Sequence, residues 1–456
     1  MNEEKRVCID GCAIATVDAA GTEFARGHIV VERGRIAAIG TGPGPQEAAR
    51  RINGEGCLAT PGLVNCHHHL YQWLTRGLAQ DAGLFEWLTA LYPVWAHIDA
   101  EMEHDAATAG LLTLQLSGCA TSSDHHYVFP RRGGDLFEAS VAAAERTGIR
   151  FHACRGSMDL GASAGGLPPD EVVETTEQAL DATEEAIDRY HDPSFGAMLR
   201  VAVAPCSPFS ATLELMREAA ELARRRDVRL HTHLAETPEE EGFCRERFGK
   251  GPVDLVDELG WLGPDVWLAH CVHLRSNDVA ALARTATGVA HCPSSNGRLG
   301  AGIAPVRDLL SAGVLVGLGV DGSASNEPGE LAAELRAALL AARMRDGPSA
   351  LTARAALALA TRHGAHCLGR EDEVGSLEVG KAADIALWKL DDLGHAGIED
   401  PVAALVLGPV RRVHELLIDG VTVVSEGRAV TVDEEEASQA LTKSSRRLAE
   451  RAGLSA

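Results

Sequence analysis

The chain has 456 residues, 45% of them apolar, and a formal charge of -23 at neutral pH. That length accommodates about three ordinary domains, or one barrel-sized domain with a smaller companion. So acidic a chain lacks the clustered Lys and Arg that a phosphate backbone demands, which excludes a nucleic-acid partner and favours a small, largely neutral ligand. Its 11 cysteines have no repeating spacing and are odd in number, which predicts reduced thiols in a cytoplasmic protein. The first residues, Met-Asn-Glu-Glu-Lys-Arg-Val, lack a signal-peptide core. No run of about 18 apolar residues follows that could span a membrane.

In chain order, residues 1–57 open with short alternating strands broken by Gly21, Gly27 and Gly34, the first part of a small β domain. From residue 58, short apolar runs alternate with longer Ala- and Leu-rich stretches of helical period. Eight such runs are predicted at 58–65, 118–125, 149–156, 199–206, 228–235, 265–272, 288–293 and 314–321. The expected fold is therefore α/β, a (β/α)8 TIM-like barrel over 58–370. Residues 371–456 return to strand texture, with strands at 383–388 and 415–420, and end in a helix over 434–453 whose basic end reads as a solvated face. Strands from both chain ends then make one small β-sandwich.

Active sites of such barrels lie at the C-terminal strand ends, and the polar residues worth attention fall there. His67 and His69 end the Pro-Gly-Leu-Val-Asn-Cys-His-His-His run at 61–69. Two apart on a strand, they face one side and can meet one ion. His233, Glu236, His270 and Asp321 each follow another apolar run. Imidazoles and a carboxylate suit Zn²⁺ or Fe²⁺, and a Glu that stays off the metal suits proton transfer. His68 should point to the opposite side of its strand. His125 and His126 lie near the second strand end, while His231 and His273 are expected to alternate away from the ligands. The Gly- and Pro-rich loop at 156–170 is either a lid over the pocket or a passive surface loop.

Together these segments resemble the amidohydrolase superfamily, in its cytosine deaminase, chlorohydrolase and guanine deaminase branch. The motifs that carry the resemblance are the 61–69 run, His-Leu-Ala-Glu at 233–236, Ala-His-Cys at 269–271, His-Cys-Pro-Ser-Ser-Asn at 291–296, Asp321-Gly322 and Gly-Ser-Leu-Glu-Val-Gly-Lys-Ala-Ala-Asp at 375–384. The resemblance implies one divalent ion, zinc with Fe²⁺ as the alternative, held by His67, His69, His233 and Asp321. It implies catalytic roles for Glu236, Asp321 and His270, the last hydrogen-bonding the water or developing oxyanion without ligating. Ala204-Pro205-Cys206-Ser207 offers no Lys at the fourth strand end for a carbamylated, binuclear centre.

Local matches around Tyr71-Gln72, Asp124-His125-His126-Tyr127, Arg155-Gly156-Ser157 and Gly166-Leu167-Pro168 resemble the 8-oxoguanine deaminase group, which implies conversion of 8-oxoguanine to urate and ammonia. Gln72 can bond the amidine edge of such a ring or cap a helix. Arg155 can donate to an oxo group or hold the loop by a salt bridge. Cys206 stands where many relatives carry His, a change expected to act on substrate selection. Trp87, Tyr92 and Trp95 wall the pocket or serve packing. The same site also fits a triazine or pterin amino- or chlorohydrolase, and a non-catalytic assembly barrel is the reading outside catalysis. A homo-oligomer is a family expectation.

Overall fold

The computed structural model describes residues 6–454. Its centre is a closed, all-parallel barrel of eight strands, Leu63–Asn65, Cys119–His126, Arg150–Ser157, Leu199–Pro205, Leu230–Leu234, Val266–His270, Gly288–His291 and Val316–Leu318. They are adjacent in chain order, and the eighth closes on the first through Leu318 and Asn65. Asn65 ties that seam further, accepting from Val320 N–H at 2.9 Å and donating to Ser122 at 3.0 Å. Connecting helices start where the sequence supplies an acceptor: Asp99, Asp135 and Thr212 each take a backbone N–H of the first turn. Among the described residues no helix is long and apolar enough to cross a membrane, and all eleven cysteines are buried and unpaired.

Strands from both chain ends form a separate sheet of nine strands. Across it run Arg428–Ala429, Val421–Ser425, Glu415–Ile418, Ile385–Lys389, Cys57–Pro61, Val7–Ala15, Glu23–Glu32 and Arg35–Thr41, with Arg50–Asn53 pairing in parallel beside Val7–Ala15. The hydrogen bonding is continuous, and the sheet contributes an apolar core of its own that includes Ile9, Ile14, Ile29, Ile385 and Leu417.

The single strand expected over 58–65 is two. Cys57–Pro61 pairs antiparallel with Ile385–Lys389 in the outer sheet, and only Leu63–Asn65 enters the barrel. Gly62 lies between them, where a Cβ would sit 2.4 Å from the Cβ of Ala120. The two strands can turn from one sheet into the other there because no side chain intervenes.

The closing helix runs Glu434–Arg451, and its basic end is not a free solvated face. Arg447 and Arg451 bind Asp99 at 3.1 and 2.8 Å, and Ser444 donates to Asp105 at 2.6 Å.

Sheet and barrel are pinned by a buried pair in which Arg150 meets both oxygens of Asp384, at 2.9 and 3.0 Å. Asp384 also accepts the backbone N–H of Asp419 at 2.8 Å. Asp384→Ala strips the buried guanidinium of its bidentate partner and leaves only Asp419 and Glu373 acting from farther off, so a loss of up to about 3–5 kcal/mol is expected, read as a lower denaturant midpoint. An unchanged midpoint would show the pair to be dispensable.

Candidate active site

At the C-terminal strand ends, His67, His69, His233 and Asp321 converge. The Nε2 atoms of His69 and His233 are 3.0 Å apart, and Asp321 Oδ1 lies 3.3 Å from Nε2 of both His67 and His69. Hydrogen bonds on the far side of each ring fix which nitrogen carries the proton. The Nδ1–H of His69 donates to the carbonyl of His125 at 2.7 Å, and that of His233 to the carbonyl of Cys206 at 2.6 Å. His231 donates from Nδ1 to the Trp267 carbonyl at 2.9 Å, so its Nε2 accepts from His67 Nδ1 at 2.8 Å.

Three Nε2 lone pairs and a carboxylate oxygen thus face one another with no proton between them, and His67 Nε2 has no hydrogen-bond partner. Such an arrangement is unfavourable unless a cation shares the lone pairs. The 3.0–3.3 Å separations are the spacing of ligands about one ion at roughly 2.0–2.1 Å. The donor set therefore fits a single divalent metal.

Backbone conformation helps to aim the groups. Asp321, His270 and Ala235 take positive φ values of 62°, 71° and 52°, a region that costs energy for residues with side chains. Asp321 is steadied by Ser295 and by the Gly322 N–H at 2.7 Å.

His270 presents Nε2 to Glu236 at 3.6 Å and to Asp321 at 3.9 Å, while its Nδ1 bonds Asn296 at 2.9 Å. Burial and the Asp321 charge push the Glu236 carboxyl well above its usual range, a shift that a bound cation opposes. Its backbone is held by Glu240, whose carboxylate accepts the N–H groups of Ala235 and Glu236 at 3.0 Å each.

The cavity over this centre is bordered by Gln72, Trp87, Tyr92, Cys206 and Phe209 as well as the polar groups just described. Gln72 rides on the short helix Leu70–Thr75, anchored by Leu70 N–H to Asp124 at 2.8 Å, and its Oε1 is without a protein partner. A Cβ at position 322 would meet that oxygen at 1.8 Å, so Gly322 makes room for it. The Cys206 thiol also borders the cavity, pushed up to about 12 by burial and therefore neutral.

Where the sequence leaves two readings open, the structure takes one side. Arg155 is not among the cavity residues: its guanidinium grips Glu174 at 2.7 and 2.8 Å and stacks on Phe129 at 3.8 Å. The salt-bridge alternative is the one realised. No residue of 156–170 borders the cavity; the helix Leu84–Trp95 covers it instead through Leu84, Trp87, Leu88 and Tyr92. Trp95 packs behind, on Tyr71 and Trp87.

His231 was expected to alternate away, yet it lies two residues from His233 on one strand and so shares its side. His125 joins His67, His69 and His233 within 4.8 Å and stacks on His233. Glu240 went unnoticed, although Thr237 and Glu240 have capping-box spacing. Removing the ring that orients His67, in His231→Phe, is expected to cost 10- to 100-fold in metal affinity, measured by competition with a chromogenic chelator. Unaltered affinity would reduce His231 to packing against Trp267.

The family model for the amidohydrolase family matches residues 58–423. The chain belongs to the amidohydrolase family. It is 46% identical over 424 residues to 8-oxoguanine deaminase from Pseudomonas aeruginosa, covering 92% of this chain and 94% of that one. Hydroxydechloroatrazine ethylaminohydrolase from Pseudomonas sp. (strain ADP) is 37% identical over 449 residues, covering 94% of this chain and 92% of the relative. Among solved structures, the zinc complex of atrazine chlorohydrolase from Arthrobacter aurescens superposes with TM-score 0.92 at 35% identity, covering 96% of this chain and all of that one. This amidohydrolase thus sits among hydrolases whose names span purine and triazine rings.

Proposed function

We propose that the protein is a zinc-dependent deaminase that converts 8-oxoguanine and water to urate and ammonia. The observation that carries the reading is one buried cavity in which Glu236 and His270 stand beside a converged set of metal-ready lone pairs. The choice of ring is supported by the likeness to the Pseudomonas aeruginosa 8-oxoguanine deaminase. His67, His69, His233 and Asp321 would hold the ion. When bound, it supplies a Lewis acid that lowers the pKa of water toward about 7.

The chain's own groups do the rest. Asp321 takes a proton from the attacking water, and Glu236 delivers one to the ring nitrogen next to the amino-bearing carbon, making that carbon electrophilic. His270, with Nδ1–H held by Asn296 Oδ1, meets the oxygen that develops negative charge as an imidazolium donating from Nε2–H. The proton gained by Asp321 then passes to the amino group, which leaves as ammonia while the hydroxyl proton of the adduct returns to Glu236 to give the carbonyl product. Gln72, with an unpartnered carbonyl oxygen and an amide NH2, can both accept from and donate to an amidine edge. A neutral Cys206 thiol is a weaker partner than imidazole and leaves that side of the cavity to the ring itself.

Ammonia release is expected to be most efficient, as kcat/KM, with 8-oxoguanine in a panel that adds guanine, isocytosine, isoxanthopterin, cytosine and an amino-triazine. Preference for the triazine, or chloride release from a chloro-triazine, would overturn the substrate. No turnover of any compound by the zinc-loaded protein would overturn the enzymatic reading.

A further inference from the structure

The barrel face opposite the active site carries a second concentration of charge. Arg150 opens the third barrel strand, Arg200 is second in the fourth, and Arg229 immediately precedes the fifth. Arg370 reaches the same place from the segment after Gly364–Cys367. The carbonyl of Ala197 accepts from Nη1 of both Arg150, at 3.1 Å, and Arg370, at 2.8 Å, which draws two guanidiniums together.

Among the described residues two carboxylates pair directly with the four guanidiniums, while Asp419 acts on Arg150 and Asp192 on Arg200 from farther off. Asp384 is engaged by Arg150, and Glu373 is shared between Arg200 and Arg370, the latter at 3.2 Å. Arg229 donates to the Pro264 carbonyl at 2.8 Å, with Glu371 and Asp265 acting on it from farther off. Those two acids are bound elsewhere, Glu371 to His366 and Asp265 to Arg224.

Several donors are left over. Arg370 is 1% exposed, yet its Nε and Nη2 have no partner among the described residues, nor does Nε of Arg229. His152, also 1% exposed, has neither ring nitrogen bonded, and it borders a cavity of about 270 Å³ together with His191, Arg200 and Arg229. His191 accepts the Val201 N–H on Nδ1 at 3.1 Å, so as a neutral ring it offers Nε2–H as a donor. Asp227 and Asp265 also border it.

Buried donors without acceptors are unfavourable, and so are like charges pressed together, unless something negative lies among them. Consistent with that pressure, burial together with Arg200 and Arg150 brings the Arg370 guanidinium down to about 9. We propose that this cavity at the base of the barrel binds a small inorganic anion, with His152, Arg200 and Arg229 around it and Arg370 supplying the uncompensated charge behind. The anion would steady the junction of barrel and outer sheet and take no part in chemistry at the opposite face.

The probes are bromide and inorganic phosphate. Metal-loaded protein transferred into sodium gluconate and titrated at constant ionic strength should show a saturable rise in Tm with sodium bromide or sodium phosphate. Response to bromide alone marks a halide site, and response to phosphate alone an oxyanion site; either supports the proposal. Crystals soaked in bromide should give an anomalous peak beside His152 if the site takes halide. The Tm response should vanish in Arg370→Met and, as an independent check should that variant fold poorly, in His152→Phe. Equal Tm in gluconate, bromide and phosphate would overturn the proposal, as would a saturable response retained by both variants.

Discussion

Replacing Glu236 by Gln is expected to leave metal content intact while deaminase turnover falls about 10²- to 10⁴-fold, the usual cost of losing a positioned general acid and base. The substitution conserves volume and leaves one oxygen and one nitrogen in the cavity, so the ring could still bind. It also leaves the backbone undisturbed, because Glu240 holds the main-chain N–H groups at 235 and 236 and not the side chain of 236. What disappears is a proton that can be given up. Metal stoichiometry by mass spectrometry and kcat on one preparation separate the two effects, and wild-type turnover would remove Glu236 from the chemistry.

Substitution in the lone-pair shell should have the opposite signature. Asp321→Asn and His233→Ala are each expected to lower metal content and activity together, with losses beyond that of Glu236→Gln, because the Lewis acid goes too. Asn tolerates the left-handed backbone at position 321, where φ is 62°, so Asp321→Asn tests charge without adding strain. It exchanges an anionic acceptor 3.3 Å from two imidazole nitrogens for a neutral amide. His233→Ala deletes a lone pair 3.0 Å from that of His69. Full metal occupancy in either variant would take that residue out of the ligand set.

The barrel was legible because short apolar runs and helical stretches alternate eight times, and because barrel chemistry gathers at strand ends. His67, His69, His233, Glu236, His270 and Asp321 lie together at those ends. What the sequence hid follows from tertiary context. The break at Gly62 looks like part of one apolar run, since both halves are buried in different sheets. Arg155 was undecided between two partners, and only the fold brings Glu174 within reach. The positive φ at Ala235 leaves no trace in residue type, and His270 and Asp321 leave only a weak one, His and Asp being merely enriched in that region. His231 could have been found, since the rule that joined His67 to His69 also joins it to His233.

The sheet built from both chain ends sets an order on biosynthesis. The strand Cys57–Pro61, which leads straight into the first barrel strand, has Val7–Ala15 on one side but Ile385–Lys389 on the other. A ribosome must therefore translate most of the chain before that neighbour emerges, and the barrel seam waits likewise for Val316–Leu318. Until then the apolar edges of the opening segment stay unpaired, the condition in which nascent chains are most prone to aggregate. Contacts spanning more than 300 residues make folding slow in proportion to topology. Removal of residues beyond 384 should accordingly cost the yield of folded barrel, although His67 to Asp321 would all still be encoded.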